Sequence, residues 1–171
     1  GRRPLQCPLG CGRRPRYAIL RADADGPVSV PARWGWQRSL ARRGLTLERD
    51  DRLGASGLWR PAAASRRCLM PAQAWHERTG AKGSRQRWSL RPRRGAFTLA
   101  GLWKTTPAGE AFAIVTTAAH PRIPHLHDRM PVTLGPEPAG AWRDPDRGWA
   151  AAPTDTGAAD STCCATADAN N

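Results

Sequence analysis

Four groups of residues could do chemistry by type and spacing. Glu77 closes Trp75-His76-Glu77, just after the apolar run Cys68-Leu69-Met70-Pro71-Ala72. A carboxyl at the end of a buried strand loses hydration, and its pKa rises toward values useful for moving protons near neutrality. His120, His125 and His127 lie close together, and Asp128 and Arg129 follow directly, so hydrogen bonding could fix the tautomer of His127. On a strand, His125 and His127 would share a face as two metal ligands might, but no acidic or cysteine ligand stands at ordinary zinc spacing. No metal or other cofactor is therefore expected. Cys7 and Cys11 make a lone C-x₃-C, a weak zinc signal, whereas Cys11-Gly12-Arg13 sets a thiol beside a cation that would favour the thiolate. Trp34-Gly35-Trp36 between Arg33 and Arg38 is a place where bases could stack among rings and guanidinium groups.

Each group also has a structural reading. Glu77 could be a surface carboxylate beside Arg78, the histidines a polar turn, and the tryptophans core; for Trp88, Trp103 and Trp142 the core is expected.

The chain that must position these residues has 171 residues, enough for one domain with a real core. Lys+Arg is 27 against 14 Asp+Glu, a net charge of +13, and only Lys82 and Lys104 are lysines. An arginine excess suits phosphate recognition, because the guanidinium fork holds two oxygens at once, although a GC-rich coding sequence produces the same bias. No apolar run reaches the roughly 18 residues of a membrane span. Five cysteines without framework spacing argue against a disulfide scaffold and for a reduced, cytoplasmic setting, nucleoid-associated in a bacterium. Residues 151–171 contain three aspartates and no Lys or Arg, with no periodicity, and read as a low-complexity tail without order after a domain over residues 1–150.

Proline and glycine are frequent throughout, which favours short strands joined by turns. Strands are expected at Arg16–Leu20, Pro27–Pro31, Cys68–Ala72 continuing to Glu77, Arg87–Arg91, Phe97–Trp103, Ala111–Thr117 and Arg129–Leu134. The best helix candidate follows Pro136 and runs through Trp142. The sum is a β-rich α+β single domain.

In order along the chain, these fragments resemble the SOS-response-associated peptidase (SRAP) family of abasic-site-processing proteins. Trp34-Gly35 resembles its W-G strand. Arg66-Arg-Cys-Leu-Met-Pro-Ala-Gln-Ala-Trp-His-Glu77 is similar to R-R-C-L-x-P-A-D-G-F-Y-E, with the glutamate nine residues after the cysteine in both. Phe97-Thr-Leu-Ala-Gly-Leu-Trp103 matches F-A-G-L-W, Ile114-Val-Thr-Thr-Ala118 resembles I-I-T-T-x-A, and Ile123-Pro-His-Leu-His-Asp-Arg-Met-Pro131 carries I-H-D-R-M-P. The resemblance runs from about residue 32 to 135. It implies a curved mixed sheet with a barrel-like core and short helices.

It also implies a chemistry. In that family a terminal Cys-Gly-Arg captures the aldehyde of an abasic site in single-stranded DNA as a thiazolidine, and a related cysteine-peptidase activity removes the first residue. On this chain the resemblance makes Cys11, Glu77 and His127 the catalytic set. It makes Arg13 and Thr116 phosphate contacts, with Trp34, Trp36, Arg52 and Arg129 completing the DNA-binding set and Trp36 as the wedge. A monomer acting on single-stranded DNA with abasic sites is expected, without a membrane.

The chain departs from the family pattern in places. Cys11 lies ten residues inside the sequence, R-Y-N-x-x-P reads Arg16-Tyr17-Ala18-Ile19-Leu20-Arg21, and N-A-R has its best match at Asp50-Asp51-Arg52. Three readings follow: an abasic-site crosslinker, an inactive single-stranded nucleic-acid binder of the same fold, or an N-terminal-nucleophile amide hydrolase. The first and third need an exposed Cys-Gly-Arg terminus.

Overall fold

Strand alternation sets the architecture. In β1 (Arg16–Asp23) Ile19 is buried while Arg16 and Ala18 are exposed, and in β2 (Gly26–Trp34) Ala32 is buried while Pro27, Ser29 and Pro31 are exposed. The two strands form an antiparallel hairpin from Arg16↔Arg33 to Asp23↔Gly26. Proline has no N–H to give a ladder. Pro27 and Pro31 fit because β2 meets its other neighbour only at Arg33 and Trp34.

The computed structural model describes residues 15–36, 53–81, 84–91, 97–121, 123, 125–144 and 146–148, and the backbone alone of 47–49 and 164–167. Beyond the first hairpin the elements are β3 (Leu47–Arg49), α1 (Arg60–Ser65), β4 (Arg67–Ala72), β5 (Trp75–Thr79), β6 (Gln86–Arg91), β7 (Phe97–Thr106), β8 (Gly109–Ala118), β9 (Arg129–Pro131), β10 (Thr133–Leu134), α2 (Pro136–Arg143) and β11 (Cys164–Ala167). The main sheet runs β10-β7-β4-β1-β2-β8-β3, with β9 also on β8. A further pairing of β7 with β8 closes β7-β4-β1-β2-β8 into a ring. β2 and β3 run parallel to β8, so the sheet is mixed. A second, three-stranded antiparallel sheet has the order β11-β6-β5. This is the strand-rich single domain with short helices and a barrel-like core that the sequence implies.

Two hydrophobic clusters occupy the two faces of the ring. The inner one joins Ile19, Ala32, Cys68, Leu99, Phe112 and Ile114 to Trp75 and Leu90 of the small sheet. The outer one packs Leu69, Ala100, Leu102, Ala113 and Val115 against Ala62 and Ala63 of α1 and Ala139 and Trp142 of α2. Gly101 is required between them. A Cβ there would meet the Ala113 carbonyl oxygen and Cys68 Sγ, both at 3.0 Å.

Arg67 pins both helices to the barrel. Its Nε donates to Trp142 O at 2.5 Å, Nη1 to Ala63 O at 2.6 Å and Ala64 O at 3.2 Å, and Nη2 to Arg147 O at 2.7 Å and to Asp144 O. All five guanidinium donors are thus used, four at the C-terminal ends of α1 and α2, where helix carbonyls lack partners, and one on Arg147 O beyond α2. Trp142 Nε1 in turn donates to Cys68 O at 3.0 Å.

Three elements go beyond the sequence expectation: α1, β3 and β11. β11 falls within the segment set apart by composition as a tail, and it pairs along β6 from Cys164↔Arg91 to Ala167↔Trp88. No helix is long and apolar enough to cross a membrane among the described residues.

Candidate active site

The small sheet places Glu77. Along β5, Trp75 is buried, His76 and Arg78 are exposed, and Glu77 and Thr79 are half-buried, so Trp75, Glu77 and Thr79 share the inward face. On β6, Trp88 lies directly opposite Glu77 and its Nε1 donates to Thr79 Oγ1 at 2.9 Å. His76 uses the other face, with Nδ1 3.1 Å from Ser89 Oγ.

The histidines come from the connection between β8 and β9. Ala119 N donates to Asp128 O at 3.0 Å and closes a loop over residues 119–128. Turn bonds from Ile123 N to His120 O and from Leu126 N to Ile123 O shape it, and the side chains of Ile123 and Leu126 bury in the inner cluster. Leu126 therefore anchors the loop while His125 and His127 on either side of it stay exposed. His125 sets its edge against Trp88, with ring centroids 5.9 Å apart at 81°.

His127 is held through one nitrogen. Arg129 N donates to Nδ1 at 3.0 Å, and Asp128 Oδ1 lies 2.9 Å from the same atom. A neutral ring accepts from Arg129 N–H, and a protonated ring donates to Asp128. Both arrangements occupy Nδ1 and keep a proton on Nε2, which leaves Nε2–H free to donate to a substrate oxygen.

Glu77 and His127 act on one another although fifty residues of sequence separate them. Burial pushes the Glu77 carboxyl above the ordinary glutamate range, and the positive charge of His127 opposes that rise. Two residues after His127, Arg129 Nη2 donates to the backbone oxygen of the buried Thr116 and lies 3.4 Å from its Oγ1. Thr116↔Pro131 and Ala118↔Arg129 are the registers that bring these two together.

The remaining sequence candidates separate. Trp34 is half-buried at the rim of the inner cluster, stacked on Phe112 at 6.5 Å and 15°, with Tyr17 edge-on at 6.2 Å. Trp36 does not stand beside it. Gly35 takes φ +124°, a backbone conformation favouring glycine, and turns the chain from the inner to the outer cluster. Trp36 is there 3 % exposed, 4.6 Å from Trp59, with Lys104 Nζ 4.8 Å above its ring. The wedge expected of Trp36 is thus corrected to a core role, because its ring faces protein rather than solvent. Cys11, Arg13 and Arg52 lie outside the described residues.

His125 and His127 also depart from the two-ligand geometry considered for a strand. They sit on a loop and turn to different partners, Trp88 and Asp128. Among the described residues no three His, Cys, Asp or Glu side chains are grouped to hold a metal ion. The Cys68 thiol is fully buried and pushed far above the usual thiol range by burial, with the Glu110 carboxylate adding to the effect. It stays protonated and inert. Trp88 and His125 were not singled out as a pair by sequence, since only the β5–β6 register brings position 88 under the loop.

Comparisons with known proteins agree with the motifs. A phage-related protein from Bordetella bronchiseptica is similar in structure, with a TM-score of 0.75 at 22 % identity, covering 93 % of this chain and 79 % of that one. A protein from Bacteroides thetaiotaomicron gives a TM-score of 0.72 at 19 % identity, covering 91 % and 75 %. A second Bordetella bronchiseptica protein gives 0.67 at 21 %, covering 96 % and 89 %. At these identities the likeness establishes a shared fold. No curated protein matches the chain significantly. A family model described as SOS response associated peptidase (SRAP) matches residues 13–163, and the chain belongs to that family.

Proposed function

We propose that this protein processes abasic sites: it binds single-stranded DNA and, once Cys11 is the first residue, captures the ring-opened aldehyde covalently. The observation that carries the reading is that the loop bearing His125 and His127 packs on Trp88, directly opposite the half-buried Glu77, which brings His127 within electrostatic reach of that carboxyl. Family membership supports a DNA-related partner.

The chemistry needs an amine, a thiol and a proton carrier. The α-amine of Cys11 adds to the aldehyde carbon and gives a carbinolamine. Loss of its hydroxyl as water leaves an imine, and the leaving oxygen needs a proton at that moment. Glu77, its carboxyl pushed above the ordinary glutamate range by burial, is suited to donate it. The Cys11 thiolate then adds to the imine carbon while the nitrogen takes a proton, closing a five-membered thiazolidine with net release of one water. Amine and thiol belong to one residue, so ring closure has a high effective molarity. His127 Nε2 assists sugar ring opening, and Arg129 with Thr116 orients the neighbouring phosphate. The same Cys, Glu and His set serves removal of a preceding residue, as a cysteine peptidase acting on its own chain.

A second reading is a single-stranded nucleic-acid binder that does not crosslink, favoured by Gly10, whose peptide bond takes up the Cys11 nitrogen. Without a free α-amine, its thiol can give only a reversible hemithioacetal. The test mixes the full chain, and a form beginning at Cys11, with abasic oligonucleotide, then denatures and resolves adducts on a gel. The trimmed form is expected to give a heat-stable adduct and the untrimmed form none. An adduct from the untrimmed chain overturns this nucleophile, and none from either supports the binder.

A further inference from the structure

We propose that the outer wall of the barrel carries a second track for single-stranded DNA, a row of cations formed by Arg16, Arg33 and Lys104. The inference rests on the single-stranded-DNA reading above and adds a surface that the Glu77–His127 site does not include. The registers are Arg16↔Arg33 between β1 and β2, Arg33↔Ala111 between β2 and β8, and Ala111↔Lys104 between β8 and β7. These positions therefore form one lateral line across four neighbouring strands. All point outward, since Tyr17, Ala32, Phe112 and Trp103, next to them in sequence, belong to the inner cluster. At ordinary strand spacing, Arg16 and Arg33 stand about 5 Å apart, and Lys104 lies two strands further round the ring.

The row is built rather than scattered. Arg16 Nη2 donates to Ala108 O at 3.2 Å, and its guanidinium nitrogens lie 3.3 and 3.4 Å from where a Cβ on Gly109 would stand. Lys104 rests on the Trp36 ring. Arg33 Nε is buried without a hydrogen-bond partner. The exposed Ala18, Ser29 and Pro31 leave the adjoining wall clear.

The arginine pair also lacks a carboxylate partner among the described residues. Like charges directly opposite across a ladder repel, so the Arg16–Arg33 pair costs stability unless an anion lies over it. Glu110, beside Ala111 in sequence, alternates to the inner face and meets Arg21 Nη2 at 3.6 Å. A row of cations that follows the curve of the barrel matches one flexible phosphodiester backbone rather than a rigid duplex.

The experiment measures binding of the full chain to an undamaged oligothymidine across a salt series, so that covalent capture plays no part. Each phosphate contact contributes roughly 0.7 to the slope of log affinity against log salt on single strands. The R16Q/R33Q variant is expected to lose about 1.4 from that slope, while R16K/R33K keeps it. A control, R60Q/R143Q, removes two charges elsewhere and is expected to leave the slope nearly unchanged. An unchanged slope in R16Q/R33Q, or an equal loss in the control, overturns the row while single-stranded binding stands. No binding by the wild-type chain overturns the row together with the reading beneath it.

Discussion

Glu77 is the residue on which the proposed chemistry turns, and its burial has a measurable consequence. In the unfolded chain it ionises near the ordinary glutamate value of about 4.3, whereas in the fold burial delays ionisation to higher pH. Between those two points the folded state holds more proton than the unfolded one, so stability falls as pH rises through the window and stays lower above it. Glu77→Gln removes the charge and with it this loss. The variant is expected to melt above wild type at pH 7–8, with the difference shrinking as pH falls toward about 4 and absent below it. Thermal melts across that range check it; a difference independent of pH would contradict the burial argument. Glu77 and His127 were legible because an acid after an apolar strand and an imidazole followed by Asp-Arg carry their chemistry in local sequence. Trp36 was not, because the φ +124° turn at Gly35 reverses the face that strand alternation assigns.

Among the elements, α1 and α2 depend on a residue of neither. Arg67 ties the carbonyls of both helix ends, and that of Arg147 beyond α2, through five donors, and its burial lowers its pKa by desolvation. Arg67→Ala would leave several buried carbonyls without partners, and since each such group costs about 1–3 kcal/mol, a loss on the order of 3 kcal/mol or more is expected in denaturant unfolding. Arg67→Lys is expected to recover little of it, since an ammonium cannot reproduce the planar fork. A loss below about 1 kcal/mol for the alanine variant would contradict the clamp. The strands with alternating or apolar runs were readable from sequence. α1 was not, because Arg-Pro-Ala-Ala-Ala-Ser is short and its apolar face is only Ala62 and Ala63. Nor was β11, whose order comes from backbone pairing along β6 rather than from its side-chain pattern. β3 has three residues, too few for any period.

For the whole molecule, the closed ring and the small sheet bring residues distant in sequence toward one end of the fold, where the proposed site lies. β8 carries Thr116 to the end where the 119–128 loop returns, and the small sheet brings Glu77 there through packing of Trp75 and Leu90 on the inner cluster. The overall class was legible because proline, glycine and short apolar runs exclude long helices; the closure was not, since a ring depends on β7 meeting β8 and β2 meeting β8 at once. If the two side chains form one proton-handling unit, their losses cannot simply add. The most direct measurement is therefore a double-mutant cycle on adduct formation with abasic single-stranded DNA, in the form beginning at Cys11. Glu77→Gln and His127→Ala should each slow the rate by about 10²–10⁴, and the double variant should be little slower than the worse single one. Losses that multiply independently, or single variants as fast as the parent, would contradict a shared Glu77–His127 site.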